Sequence, residues 1–580
     1  MATGKARRGN AARPGASSDP TTDYLTSAHR AVRARLKAAD DLPTFIGRAG
    51  TLSLAQRRRT VDQALVLIEQ NYAHLPLKEA MHAANPVQAL RLLRDRLAEQ
   101  TTATMGGEFE FHAELLRIFA SVRDLHTNYL LPKPYADGVA FVPFDIEQFD
   151  EGGPRYLVSH VVPGLVHPTF GPGVEVVSWN GIPIDRAVDI VADRHAGSNL
   201  AARHARGVEL LTQRPLLRHL PPDEAWVEVG YVAPGGATEV IRFDWRILDL
   251  DDAGGGDAGI AVDVPSTAAA SVGSDAEIAA LTTAKRLLFA PAAEAAMAGT
   301  PRLTRRPAQA GADVPTAMSG VFRARSVATD SGEIGHLRIF TFNVGDPLGF
   351  VQEAARLVSL LPQDRLVVDV RGNGGGHIWA SEGLLQLFSP RRITPEPTQF
   401  LATPLNRRLC HRHRNDPVGI DLGPWLPSLS QAVRTGAVFS TGHSITPSDF
   451  ANLLGQRYRG RVACVTDALC YSATDIFAAG FQDHAVGPVI GVADNTGAGG
   501  ANVWTHELLR QLMRFPSPDP DSPYETLPTG IGMRVSIRRT LRVGERSGTP
   551  LEDLGVQPDH RIDLTRNDLI AGNQDLLDSA

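Results

Sequence analysis

Four stretches of this sequence hold residues whose types and settings suit chemistry. Ser472 lies in Cys470-Tyr471-Ser472-Ala473-Thr474-Asp475, between an apolar run at Arg461 to Thr466 and an apolar helical pattern carrying Ile476, Phe477 and Phe481. Two readings fit it. As a helix N-cap it would form a variant capping box with Asp475. As a nucleophile on a strand-to-helix turn it would present its hydroxyl beside helix-terminal N–H groups that stabilise an oxyanion. The second stretch, Asp369-Val370-Arg371-Gly372-Asn373-Gly374-Gly375-Gly376, ends a buried strand. Its glycines let the backbone approach a ligand closely and turn N–H groups toward a developing charge, or they form a plain flexible turn. The third is Asp124-Leu125-His126-Thr127, whose histidine is one of 18. The fourth, Leu551 to Asp559, carries Glu552, Asp553 and Asp559 among Gly and Pro, which also suits a surface turn.

Other chemistry is poorly served. The glycine-rich turn lacks the Gly-Lys-Ser/Thr ending of a P-loop and the spacing of a dinucleotide fingerprint. Cys470 reads as a small buried cysteine at a strand end rather than a nucleophile. Cys410-His411-Arg412-His413 has no spaced partner motif, and its arginine disfavours a cation, so no metal and no cofactor are expected.

The elements that must position these residues follow from periodicity. Residues 1–45 read as a disordered tail, and helical spacing then marks a helical domain over 46–135, with helices near Leu52 to Asn71, from Asn85-Pro86 through Leu97, and from Glu108 to Asp124. Short Val-, Ile- and aromatic-rich runs separated by Gly and Pro make 136–249 β-rich, clearest in a hairpin of Trp226 to Val232 and Val240 to Ile247. Residues 250–320, rich in Ala, Gly, Asp, Ser and Thr, read as a linker or insertion with one helical stretch from Ser274 to Leu288. From 321 to 580 short apolar strands alternate with helices, the signature of an α/β domain with a largely parallel sheet.

Taken together and in order, the four stretches resemble the C-terminal-processing or tail-specific serine peptidase family. The resemblance implies a crotonase- and ClpP-like catalytic core. Gly173 to Gly181 is similar to the strand and Asn-Gly turn of PDZ-like modules, and equally to an ordinary hairpin tip. Members with a Ser/Lys site place a lysine downstream of the serine, whereas no lysine follows Ser472 in this chain. The tricorn-like branch uses a histidine before the core and a carboxylate after the serine, which implies Ser472 as nucleophile, His126 as base and Glu552 as its support, with Asp553 and Asp559 as alternatives. Amides near Gly375 and Ala473 would form the oxyanion hole. Tricorn-like sites carry a serine before the histidine where this chain has Leu125. The implied function is serine-type peptide-bond hydrolysis on peptide or protein substrates. A non-catalytic ligand-binding protein and an acyl-CoA enzyme on the same scaffold are the competing readings.

The totals agree with a multidomain globular protein. A formal net charge of -6 gives no basic footprint for nucleic acid. A hydrophobic fraction of 43% supplies a large core. Three cysteines cannot build a disulfide framework, and no apolar segment is long enough to span a membrane, so the expected setting is cytoplasmic. Association into a homo-oligomer is left open.

Overall fold

The computed structural model describes residues 21–580 except 29, 31, 49, 51, 196, 251–275, 291–310 and 416–420. The element that carries the chemistry is a seven-stranded sheet whose strands Gly332–Ile339, Arg365–Asp369, Arg461–Thr466, Val489–Gly491 and His560–Arg561 run parallel, with an antiparallel edge at Phe322–Thr329 and Asp313–Val314. Its central strands are apolar at consecutive positions because both faces are covered. Leu366, Val368, Val370 and Cys464 point into a core with Phe350, Leu357, Phe477 and Phe481. Val367, Ala463 and Val465 point the other way, onto Leu576 and Leu577.

Arg365–Asp369 and Arg461–Thr466 are parallel neighbours, so the segments that follow them leave from the same edge of the sheet. One leads through the glycine-rich turn to the helix Ile378–Leu385, the other through Ser472 to the helix Ala473–Asp483.

The helical region holds Leu54–Asn71, Leu75–His82, Pro86–Glu99 and Glu108–Ser121. Ser53 and Gln56 form a full capping box on the first, and Asn85 with Pro86 starts the third. The β-rich region contains a six-stranded sheet with the hairpin Trp226–Val232 and Thr238–Asp244 and the strand Glu175–Trp179. Asn180 and Gly181 turn there at φ 49° and 77°, as a tight Asn-Gly turn requires.

Two domain boundaries need correction. The tail expected over 1–45 does not extend that far: residues 1–20 lie outside the described residues, but Tyr24–Ser27, Arg33–Ala38 and Leu42–Ile46 are helical, and Tyr24, Leu36, Leu42 and Phe45 are buried in the main core. The helical region is also not a separate unit. Its strand Asn128–Leu130 pairs with Gly532–Thr540 from the far end of the chain, and a single apolar cluster runs from Tyr24 to Ile537. Of the expected insertion over 250–320, the helix Ala276–Phe289 is described, while 251–275 and 291–310 lie outside the described residues.

Candidate active site

Ser472 adopts φ 61° and ψ −123°, a conformation that non-glycine residues seldom take. Its side chain makes no capping hydrogen bond, and the buried Oγ has no partner among the described residues. Only the Asp475 half of a capping box is present, the carboxylate accepting the Ser472 N–H. The same carboxylate accepts the N–H groups of Ala498 at 3.1 Å and Gly499 at 2.9 Å, fastening the downstream glycine loop to the serine turn. Burial raises the Asp475 carboxyl to about 6. The serine therefore sits in a strained turn without capping the helix that follows it.

The glycine-rich turn is clasped against it. A Cβ on Gly375, which has φ 98°, would lie 2.6 Å from Ser472 Cβ and 2.8 Å from the Ala473 nitrogen, so only glycine permits this approach. Tyr471 N–H donates to Asn373 O at 3.1 Å, Cys470 Sγ donates to Val370 O at 3.1 Å, and Gly372 N–H donates to the Asp467 carboxylate at 2.8 Å. Burial pushes the Cys470 thiol well above its ordinary range, which leaves it a poor nucleophile. The Gly375 N–H donates to Asn373 Oδ1 at 2.9 Å in this structure. Among the described residues the N–H of Ala473 has no such partner.

His126 is buried and reaches this turn from the other end of the sequence. Its ring lies on that of Tyr471, with centroids 4.5 Å apart. The segment is held from several sides. Leu125 N–H donates to Tyr471 Oη at 3.1 Å across 346 residues of sequence, and Leu125 O accepts Arg218 at 2.7 Å and Arg534 at 2.6 Å. His126 N–H donates to Asp124 Oδ1 at 2.7 Å, while Thr127 and Ser536 hydroxyls donate to Asp124 Oδ2 at 2.8 and 2.9 Å. Burial opposes the charge on Asp124, but His74, Lys78 and His126 outweigh it and hold the carboxyl below its ordinary range.

Glu552 enters the same buried cluster without bonding to His126. Its Oε1 accepts Lys78 Nζ at 2.6 Å and Ser198 Oγ at 3.0 Å, and its Oε2 has no hydrogen bond among the described residues. Ser198 in turn hydrogen-bonds Tyr471. Asp553 accepts the same lysine at 2.9 Å and His82 at 2.9 Å, and Asp559 lies elsewhere, accepting Gln482 and Val489 N–H. Burial, with Asp124 and Asp553 nearby, raises Glu552 despite Lys78. Lys78 itself, although buried, is raised by its carboxylates and stays protonated, so it cannot serve as a base. His74, Asp124 and Glu552 offer atoms within 4.8 Å of one another, but the ammonium of Lys78 already supplies the cation to Glu552.

Sequence reasoning singled out Ser472, the glycine turn and His126. It missed Tyr471, Lys78 and Ser198. Tyr471 stands beside the serine and was visible there. Lys78, on the short helix Leu75–His82 between Leu77 and Glu79, has nothing in its local sequence to set it apart from a surface lysine.

Residues 333–562 match the profile of Peptidase family S41. No curated protein sequence matches the chain. The crystal structure of mature CPAF is 16% identical, with 91% of this chain and 96% of that chain covered at a TM-score of 0.60. Mature CPAF complexed with lactacystin gives 15%, 91%, 97% and 0.59. The photosystem II D1 C-terminal processing protease gives 14%, 88%, 94% and 0.35. At such identities the CPAF likeness is one of fold, and it extends over nearly the whole of both chains. The chain thus carries a peptidase family S41 domain at residues 333–562 and is a serine peptidase.

Proposed function

We propose that this peptidase works through Ser472 and His126, on a crotonase-like core, in the manner of tricorn-like and tail-specific enzymes. Ser472 Oγ attacks the scissile carbonyl, His126 takes its proton and returns it to the leaving amine, and water repeats the sequence on the acyl-enzyme. The N–H of Ala473, with an N–H of the Gly374 to Gly376 turn, receives the oxyanion. Glu552 acts at a distance, anchoring through Ser198 and Lys78 the Tyr471 and Asp124 network on which the His126 segment rests. The β-rich region, with its Asn180-Gly181 turn, is proposed as a PDZ-like module, and the cytoplasm as the setting.

The single observation that carries the reading is the Ser472 turn: positive φ, an uncommitted buried hydroxyl and a glycine turn pressed against it. Neither a binding protein nor an acyl-CoA enzyme calls for a serine hydroxyl released from capping beside a glycine turn, whereas a nucleophile does. The test is labelling with a fluorophosphonate followed by peptide mapping. The expected adduct is on Ser472, with neither labelling nor peptide hydrolysis in a folded Ser472→Ala variant. An adduct on another residue, or hydrolysis by the alanine variant, refutes the assignment.

A further inference from the structure

Beside the His126 segment lies a cavity of about 740 Å³ lined by six arginines, with only Asp193, Asp223 and Glu277 as acidic groups. Leu125 and Asn128, which flank the histidine, form part of its wall. Several of the arginines have structural duties: Arg218 holds Leu125 O and Asn128 Oδ1, and Arg203 and Arg194 pair with Asp193 and Asp223. Arg214 does not. It is 8% exposed and forms no ion pair among the described residues; its Nε has no hydrogen-bond partner among them, its Nη2 reaches Leu210 O at 3.5 Å, and its guanidinium stands 5.9 Å from the Trp245 ring centre. Burial lowers it to about 10, which still leaves the guanidinium charged at neutral pH. His195 and His219 stand edge to face at 4.2 Å, both held well below the ordinary histidine range by burial and by the surrounding positive charge. A buried cation without a carboxylate partner is costly, and a cavity of this composition favours an anion.

The structure shows what kind of anion fits. Glu277, on the helix Ala276–Phe289, enters the cavity, pairing with Arg218 and accepting from His219 Nε2 at 2.8 Å. The next residue, Ile278, lies on the glycine-rich turn, where a Cβ on Gly374 would meet its Cδ1 at 2.0 Å. Two consecutive residues of one segment therefore touch the cavity and the turn that faces Ser472.

Building on the peptidase reading, we propose that this cavity is a substrate subsite for the side-chain carboxylate of an Asp or Glu within about two residues of the bond that Ser472 attacks, and that Glu277 fills it in this structure. A carboxylate there gains charge-assisted hydrogen bonds from Arg218 and His219 and adds negative charge to the cavity that Arg214 lines, whereas an amide adds none.

The test uses the full chain and matched peptides that differ only as Glu or Gln at each position flanking the cleaved bond. At one position the Glu peptide is expected to have a kcat/KM at least tenfold above its Gln partner. That ratio should collapse toward one in Arg214→Gln, and the KM of the Glu peptide should fall in Glu277→Gln, where the competing carboxylate is gone. Equal rates for every wild-type Glu and Gln pair overturn the proposal even if Arg214→Gln fails to fold. A preference for a free over an amidated peptide carboxyl terminus, with no side-chain effect, overturns it in favour of terminal recognition. In both cases fluorophosphonate labelling of Ser472 persists and the peptidase reading stands. Absence of labelling and of all hydrolysis removes both.

Discussion

Ser472 spends conformational energy, on the order of 1–3 kcal/mol for a non-glycine residue at positive φ, and its neighbours hold it there. Tyr471 does more of this work than its position in the sequence suggests. Its ring carries the His126 ring, and its hydroxyl accepts the Leu125 N–H at 3.1 Å. In Tyr471→Phe the ring remains and the Leu125 N–H is left buried without an acceptor, a loss of about 1–3 kcal/mol. Because that hydroxyl aligns the segment bearing His126, the proposed base, kcat is expected to fall roughly ten- to hundredfold with KM little changed. Steady-state kinetics beside urea unfolding check this; an unaltered kcat with the expected loss of stability would make Tyr471 a structural residue only. At this scale the serine and the glycine turn were legible because their chemistry is local. The bonds of Glu552 were not: its lysine partner is 474 residues away and no short-range pattern marks it.

Behind the two turns, the helices Ile378–Leu385 and Ala473–Asp483 pack on each other, and a pair of carboxyls is buried next to them. Glu382 Oε1 accepts the Glu396 N–H at 2.6 Å, and neither oxygen of Glu396 has a hydrogen bond among the described residues. Burial raises Glu382 to about 7 and Glu396 well above its ordinary range. Both groups are therefore favoured protonated in the fold. Their contribution to stability is complete below the ordinary carboxyl range and is lost as pH rises through about 7 for Glu382. Glu382→Gln, which keeps the acceptor and cannot ionise, should match the wild type at pH near 4 to 5 and exceed it by up to about 3 kcal/mol near pH 8. Urea unfolding at the two pH values measures this, and an equal difference at both would contradict it. The elements themselves were readable wherever a strand is buried on both faces or a helix has a strong cap, as in Arg365–Asp369 and Pro86–Glu99. The helices before Phe45 and the helix Leu75–His82 escaped, because each is short and its periodicity covers too few turns to stand out.

On the scale of the whole molecule, the site exists only because distant parts of the chain close on one another. The strand Asn128–Leu130 lies against Gly532–Thr540, Ala73 N–H donates to Ser536 O at 2.8 Å, and Lys78 crosses to Glu552 and Asp553. The sequence announced three units in series; their merging depends on contacts between residues hundreds of positions apart, which local propensity does not encode. The same closure brings His126 onto Tyr471 beside the nucleophile, and the central claim is that this histidine activates Ser472. The direct measurement is the rate of fluorophosphonate labelling of Ser472 and of peptide turnover in His126→Ala, with thermal unfolding and circular dichroism as controls. A drop of about a thousandfold or more in both rates, in a folded protein, is the predicted result. Rates within a few fold of wild type in that variant would contradict the account and require a different base.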